Sequence, residues 1–166
     1  YNLMDFKKMK HEATVLRNVV GDEKLIAWGF LSKALVQEAI SGIITKDPAD
    51  MDAALLKLDT SVALDNNAAY AWFMRAEVHL FRKNYQQSYN DALRAIELSP
   101  KFIMPHIILA AACSGMEKHD TAMSIYGRIM QLDSSFTFLG YAGLALEHAL
   151  TGKMGKAYKY QRLSMK

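Results

Sequence analysis

A short phrase returns along this chain at a fixed interval. It reads Val62-Ala63-Leu64-Asp65, then Ile96-Glu97-Leu98-Ser99, then Met130-Gln131-Leu132-Asp133, and its leucines are 34 residues apart each time. Two columns of small residues return in phase with it: Ala54, Ser88 and Ala122, and then Gly42, Ala76 and Ala110. A partial fourth unit follows one residue out of step, as Tyr141, Leu144, Ala145, Gly152 and Ala157. Such a period means that each unit is a small supersecondary element unable to bury its apolar face alone, so neighbours must stack. Over residues 69–82 the apolar positions step by three and four, the helical period. A second helix is expected from Tyr85 to Leu98, with Asn84 as its cap. Ser99-Pro100 stops that helix, because proline lacks an N–H and restricts the residue before it. Asp47-Pro48 makes a similar break, with Pro48 in a first helical turn. Only 9 Gly and 3 Pro occur in 166 residues, few for a many-turned β-sandwich. With 51% hydrophobic and 22% charged residues the chain is globular, and the expectation is an all-α protein of antiparallel helix pairs.

The helix pair of this period resembles the tetratricopeptide repeat (TPR), whose pattern runs W-x2-L-G-x2-Y, then A-x3-F, then P. The clearest unit is residues 69–102. There Trp72 takes the Trp position, Ala76 the Gly, Tyr85 the aromatic opening the second helix, Ala95 and Leu98 the late apolar positions, and Pro100 the closing Pro. It departs at Arg75, His79, Ser88 and Ala92. The next unit, 103–136, keeps Leu109, Ala110, Ala122, Tyr126, Leu132 and Asp133, with His106 for Trp and Ser134 for Pro. The resemblance covers about residues 35–166 and implies a right-handed solenoid with units at 35–68, 69–102, 103–136 and a partial 137–166. Residues 1–21 stand apart as an extra N-terminal helix, with Phe6, Met9, Ala13, Leu16 and Val20 in one apolar seam. Gly21-Asp22 separates it from the repeat domain, 22–166. Tyr1 in place of an initiator Met leads us to expect a fragment of a larger protein.

Catalytic and cofactor motifs are absent. There is no phosphate loop, dinucleotide fingerprint, nucleophile elbow or H-E-x-x-H helix. His79, Cys113 and His148 occupy the repeat position where the family has Tyr; His106 replaces the Trp and His119 a second-helix Tyr. Equivalent positions in helices ~8–10 Å apart cannot converge on one ion at ~2 Å, so these rings fill aromatic positions. Cys113, the single cysteine, is expected to be a buried packing residue. Asp50 and Asp52 sit at a helix start, where negative charge suits the dipole. We expect no enzyme, no metal and no cofactor. No apolar run is long enough for a membrane helix. The net charge of +3 is too weak for nucleic acid, and an unpaired cysteine is compatible with a cytoplasmic protein.

The resemblance further implies a concave face lined by the first helix of each pair. Its candidate positions are Tyr70, Phe73, Met74, Glu77 and Phe81 in one unit, and Met104, Ile107, Ile108 and Ala111 in the next. The earlier unit offers Val36, Ala39, Ile40 and Ile43, and the last offers Leu139, Ala142, Gly143 and Leu146. The Lys, Asn and Arg clamp that some members use for chaperone tails is missing, since Ala39, Ile43, Met74, Met104 and Ile108 stand there. An apolar face of this kind takes a protein or peptide partner, a small apolar ligand, the chain's own N-terminal helix or a second subunit, and the N-terminal helix is a candidate for self-association. Near the C-terminus Lys153, Lys156, Lys159 and Arg162 form a basic stripe, either a docking site for an acidic partner or a solvated end cap. The expected function is a non-catalytic interaction module. The stretch from Asp47-Pro48 to Trp72 also resembles the TPR portion of ToxR-type bacterial transcription activators, which makes a regulatory domain one alternative. A secretion chaperone is another.

Overall fold

Proline 48 opens the first of seven α-helices in a computed structural model that describes residues 48–165. They are α1 (Pro48–Leu64), α2 (Ala69–Phe81), α3 (Tyr85–Leu98), α4 (Ile103–Gly115), α5 (His119–Leu132), α6 (Thr137–Leu150) and α7 (Met154–Ser164). One 3-10 turn, Ser134–Phe136, precedes α6, and no strand occurs among the described residues. The N-terminal seam and the lining positions from Val36 to Ile43 lie outside them. The expected helix from Tyr85 to Leu98 and its stop at Ser99-Pro100 are both found. No described helix is long and apolar enough to cross a membrane. The chain divides into two compact units between Val78 and His79, within α2.

In the first unit α1 buries Ala54, Leu58, Ser61 and Val62, which share one helical face. The following turn is set by Asp65, whose Oδ1 accepts the Asn67 N–H at 3.0 Å. Trp72 on α2 donates its Nε1–H to the Asn66 carbonyl of that turn at 3.0 Å. Arg75, a departure from the repeat pattern, pairs with Asp59 of α1 at 2.9 Å and lies 4.6 Å over the Trp72 ring.

In the second unit each helix packs on the next, α3 on α4 through α6 on α7. Short connections force antiparallel neighbours. The core holds Ile103, Ala110, Cys113, Ala122, Tyr126, Ile129 and Leu144. Its alanines bring helices close, and two glycines do so further. A Cβ on Gly115 would strike the Tyr85 ring, and one on Gly143 would strike the Tyr126 ring.

The turns within the helix pairs repeat as well. Lys83, Glu117 and Gly152 take left-handed backbone, with φ of 61°, 62° and 74°. After each, the next N–H reaches back five residues: Asn84 to His79 O at 2.8 Å, Lys118 to Cys113 O at 2.9 Å, Lys153 to His148 O at 2.7 Å. This is the Schellman closure, which satisfies the last carbonyls of a helix. The three turns follow the sequence period, including its one-residue slip. Asn84 does occupy the position before α3, but its side chain makes no capping hydrogen bond.

Candidate binding face

On α2 the predicted lining residues divide by depth. Phe73 and Met74 are buried at 6% and 5% exposure, whereas Tyr70 and Phe81 stand out at 45% and 43%. Tyr70 packs its ring against Phe73, with centroids 5.7 Å apart. Glu77, three to four residues from Met74, Phe73 and Phe81, is half-buried on the same face. Burial raises its carboxyl above the usual glutamate range.

Within the second unit α4 shows the same division. Met104 is exposed, Ile107 and Ala111 are half-buried, and Ile108 is buried. On α6, Leu139 and Ala142 are half-buried and Leu146 is exposed. Gly143 lines nothing, since it lies under Tyr126 of α5. At the C-terminal end Lys153, Lys156, Lys159 and Arg162 are all exposed. From Ser134 onward the one acid is Glu147, and it is fully buried.

Solved structures of similar fold cover between 81% and 99% of the chain. A crystal structure of MamA matches with a TM-score of 0.70 at 18% identity, over 99% of this chain and 94% of that one. MamA from Desulfovibrio magneticus RS-1 matches at 0.71 and 16%, over 96% and 93%. The first TPR domain of human RPAP3 matches at 0.60 and 15%, over 81% and 95%. The fold is that of the tetratricopeptide repeat. No protein-family model matches the chain.

The TPR framework explains the ring substitutions. His106 occupies the Trp position of its unit, and its Nε2–H donates to the Pro100 carbonyl at 3.1 Å. Trp72 makes the same bond to a carbonyl six residues back. A carbonyl can only accept, so the His106 proton sits on Nε2. Burial first, and then the Arg128 charge, hold its pKa below the ordinary imidazole value, against the opposing pull of that carbonyl. His79 lies 3.9 Å from Asp91. His148 stacks on Tyr160 at 5.4 Å between centroids, and Tyr160 stacks on Tyr141.

Sequence reasoning missed one buried charge. Glu147 has no exposed surface, and its Oε2 accepts from His119 Nδ1 at 2.8 Å, while Oε1 has no partner. The two residues lie on different helices, at a spacing that no motif encodes. Nearby, burial and then the Glu147 charge push the Tyr126 hydroxyl up to about 12. Burial also raises the Cys113 thiol, offset by Lys118 and reinforced by Glu147. A thiol held protonated in this way is a poor nucleophile. Among the described residues no three His, Cys, Asp or Glu side chains gather as a metal ion requires.

Proposed function

We propose that the chain is a non-catalytic protein-interaction module that takes a partner segment on the first-helix faces of its second unit. The observation that carries this reading is the exposure of large apolar side chains at expected lining positions. In the second unit they are Phe81 at the end of α2, Met104 on α4 and Leu146 on α6, between 41% and 53% exposed. Exposed apolar rings and methionines on a rigid helical frame favour docking over solvation. The TPR fold is consistent with a protein partner. A transcription regulator or a secretion chaperone of this fold would use the same face on a different partner.

The test is selection of displayed random peptides on the full chain, followed by affinity measurement on variants. Met104→Glu and Leu146→Glu should each abolish binding with the melting temperature unchanged, because charge at an exposed anchor must be desolvated on docking. Peptides that bind both variants as well as the parent would reject the reading.

A further inference from the structure

The last helix of a helical array needs a polar outer face, because no further repeat covers it. α7 presents something else. Ala157 is buried, and Tyr160 stacks on His148 and Tyr141, so that side of the helix is fixed against α6. On the side turned away, Met154, Tyr158 and, at the C-cap, Met165 follow at steps of four and seven residues, which puts them along one line. They are 50%, 68% and 70% exposed. Lys159 and Arg162 run beside this line, with Arg162 four residues from Tyr158 and three from Met165. Both cations are exposed, and neither makes an ion pair among the described residues. The one acid from Ser134 onward, Glu147, is buried. Gly155, three residues before Tyr158 and four before Lys159, leaves a notch among them, since a Cβ there would meet nothing within 4 Å. No described neighbour requires a glycine at that place, and glycine weakens a helix relative to alanine.

We infer that the outer face of α7 is a second docking surface, apart from the first-helix faces and independent of them, and that its partner is an acidic amphipathic protein segment. Apolar side chains of that segment lie along Met154, Tyr158 and Met165, and its carboxylates face Lys159 and Arg162. Charge complementarity selects this occupant. Carboxylates turn two unpaired cations into charge-assisted hydrogen bonds beside an apolar line from which docking excludes water. Methionines adapt to the side chains of a protein partner, and the notch at Gly155 admits a close backbone approach. A second copy fits poorly, because a two-fold pairing of this face would set Lys159 and Arg162 against their like. A nucleic acid would use the cations and leave the methionines uncovered. A bilayer is met by Trp, Phe and Leu, and none of these lies on the line.

The experiment selects displayed random peptides on the full chain, with counter-selection on Tyr158→Glu. The strongest is synthesised as selected and with its acids replaced by the corresponding amides, and titrated against the parent, Tyr158→Glu, Arg162→Glu and Met104→Glu. Selected peptides should carry acids spaced by three or four residues beside apolar ones. Tyr158→Glu, Arg162→Glu and the amide replacement should each weaken binding by about tenfold or more, and raised salt should weaken the acidic peptide further. Met104→Glu should bind as the parent does, which separates this surface from the first-helix faces; equal loss in Met104→Glu overturns a second surface. Melting temperatures should match the parent, since the substituted side chains are exposed. A lower melt in both Tyr158→Glu and Arg162→Glu makes the line part of the fold and overturns the inference. Selected peptides without acids, or equal binding to Arg162→Glu, overturn it as well. So does tighter binding of a thymidine oligonucleotide or of phosphatidylserine vesicles that Arg162→Glu abolishes, which gives the face to nucleic acid or to a membrane. A dimer in sedimentation that Tyr158→Glu abolishes gives it to a second copy and overturns the acidic segment.

Discussion

His119 and Glu147 show what one pair of side chains can decide. A carboxylate with no exposed surface keeps its place only while a donor faces it. His119→Ala should therefore cost about 3 kcal/mol or more, measured by chemical denaturation, because it strands a buried charge. Adding Glu147→Met to that variant should recover most of the loss, since replacing both partners by apolar groups is close to neutral. A second prediction concerns acid. The folded pKa of His106 lies below its ordinary value of 6.5, so the unfolded chain takes up the proton first. The stability that this ring contributes is full above 6.5 and is lost as pH falls through the folded value. His148, lowered by burial and by Lys156 and Lys153, acts with the same sign. Unfolding free energies measured across this range should decline toward acid, and His106→Phe should flatten the slope. The sequence position of His106 was readable as a ring filling an aromatic place. That it keeps the ring N–H function of Trp72 was not, because a hydrogen bond to a loop carbonyl leaves no trace in residue type at the acceptor.

Helix limits were the most legible part of the chain. Ser99-Pro100 stops α3 because of proline chemistry alone, and the 34-residue recurrence of leucines put α1, α3 and α5 at matching places. The left-handed closures were hidden, since Lys83 and Glu117 hold a conformation that usually advertises itself as glycine. Only Gly152 announces it. From this follows a third prediction: Lys83→Gly and Glu117→Gly should each raise stability by about 1 kcal/mol, the order of the left-handed penalty that a side chain carries. Gly152→Ala should lower it by a similar amount, about 1 kcal/mol, on the same ground. Thermal melts of the three variants check the signs. A fourth prediction lies where α5 and α6 cross. Gly143→Ala would drive a methyl into the Tyr126 ring, and overpacking of this kind costs about 1–3 kcal/mol. The lining expectation for Gly143 failed for this reason. The repeat register assigns a residue to a helix more securely than to one of its faces, and a glycine has no side chain to declare which way it turns.

Across the whole molecule, the predicted face separates into two classes that the sequence pattern cannot tell apart. Phe73, Met74 and Ile108 are buried, so a glutamate at any of them should lower the melting temperature before it says anything about binding. Tyr70, Phe81 and Met104 are partly exposed, between 41% and 45%. Alternating depth along one helix arises from packing against neighbours, which a single period of apolar letters does not record. Lys153, Lys156, Lys159 and Arg162 are exposed, as their charge alone leads one to expect. Reversing Lys159 to glutamate should leave the melt unmoved, since it makes no ion pair among the described residues. Each ring donor, Trp72 and His106, answers to a carbonyl within the loop that precedes its helix. A cassette excised at the loop, as the letters of the repeat invite, would part donor from acceptor at every graft. A cassette excised within the second helix would carry both, so shuffled or lengthened arrays should be joined inside α3 and α5 and not between residues 102 and 103.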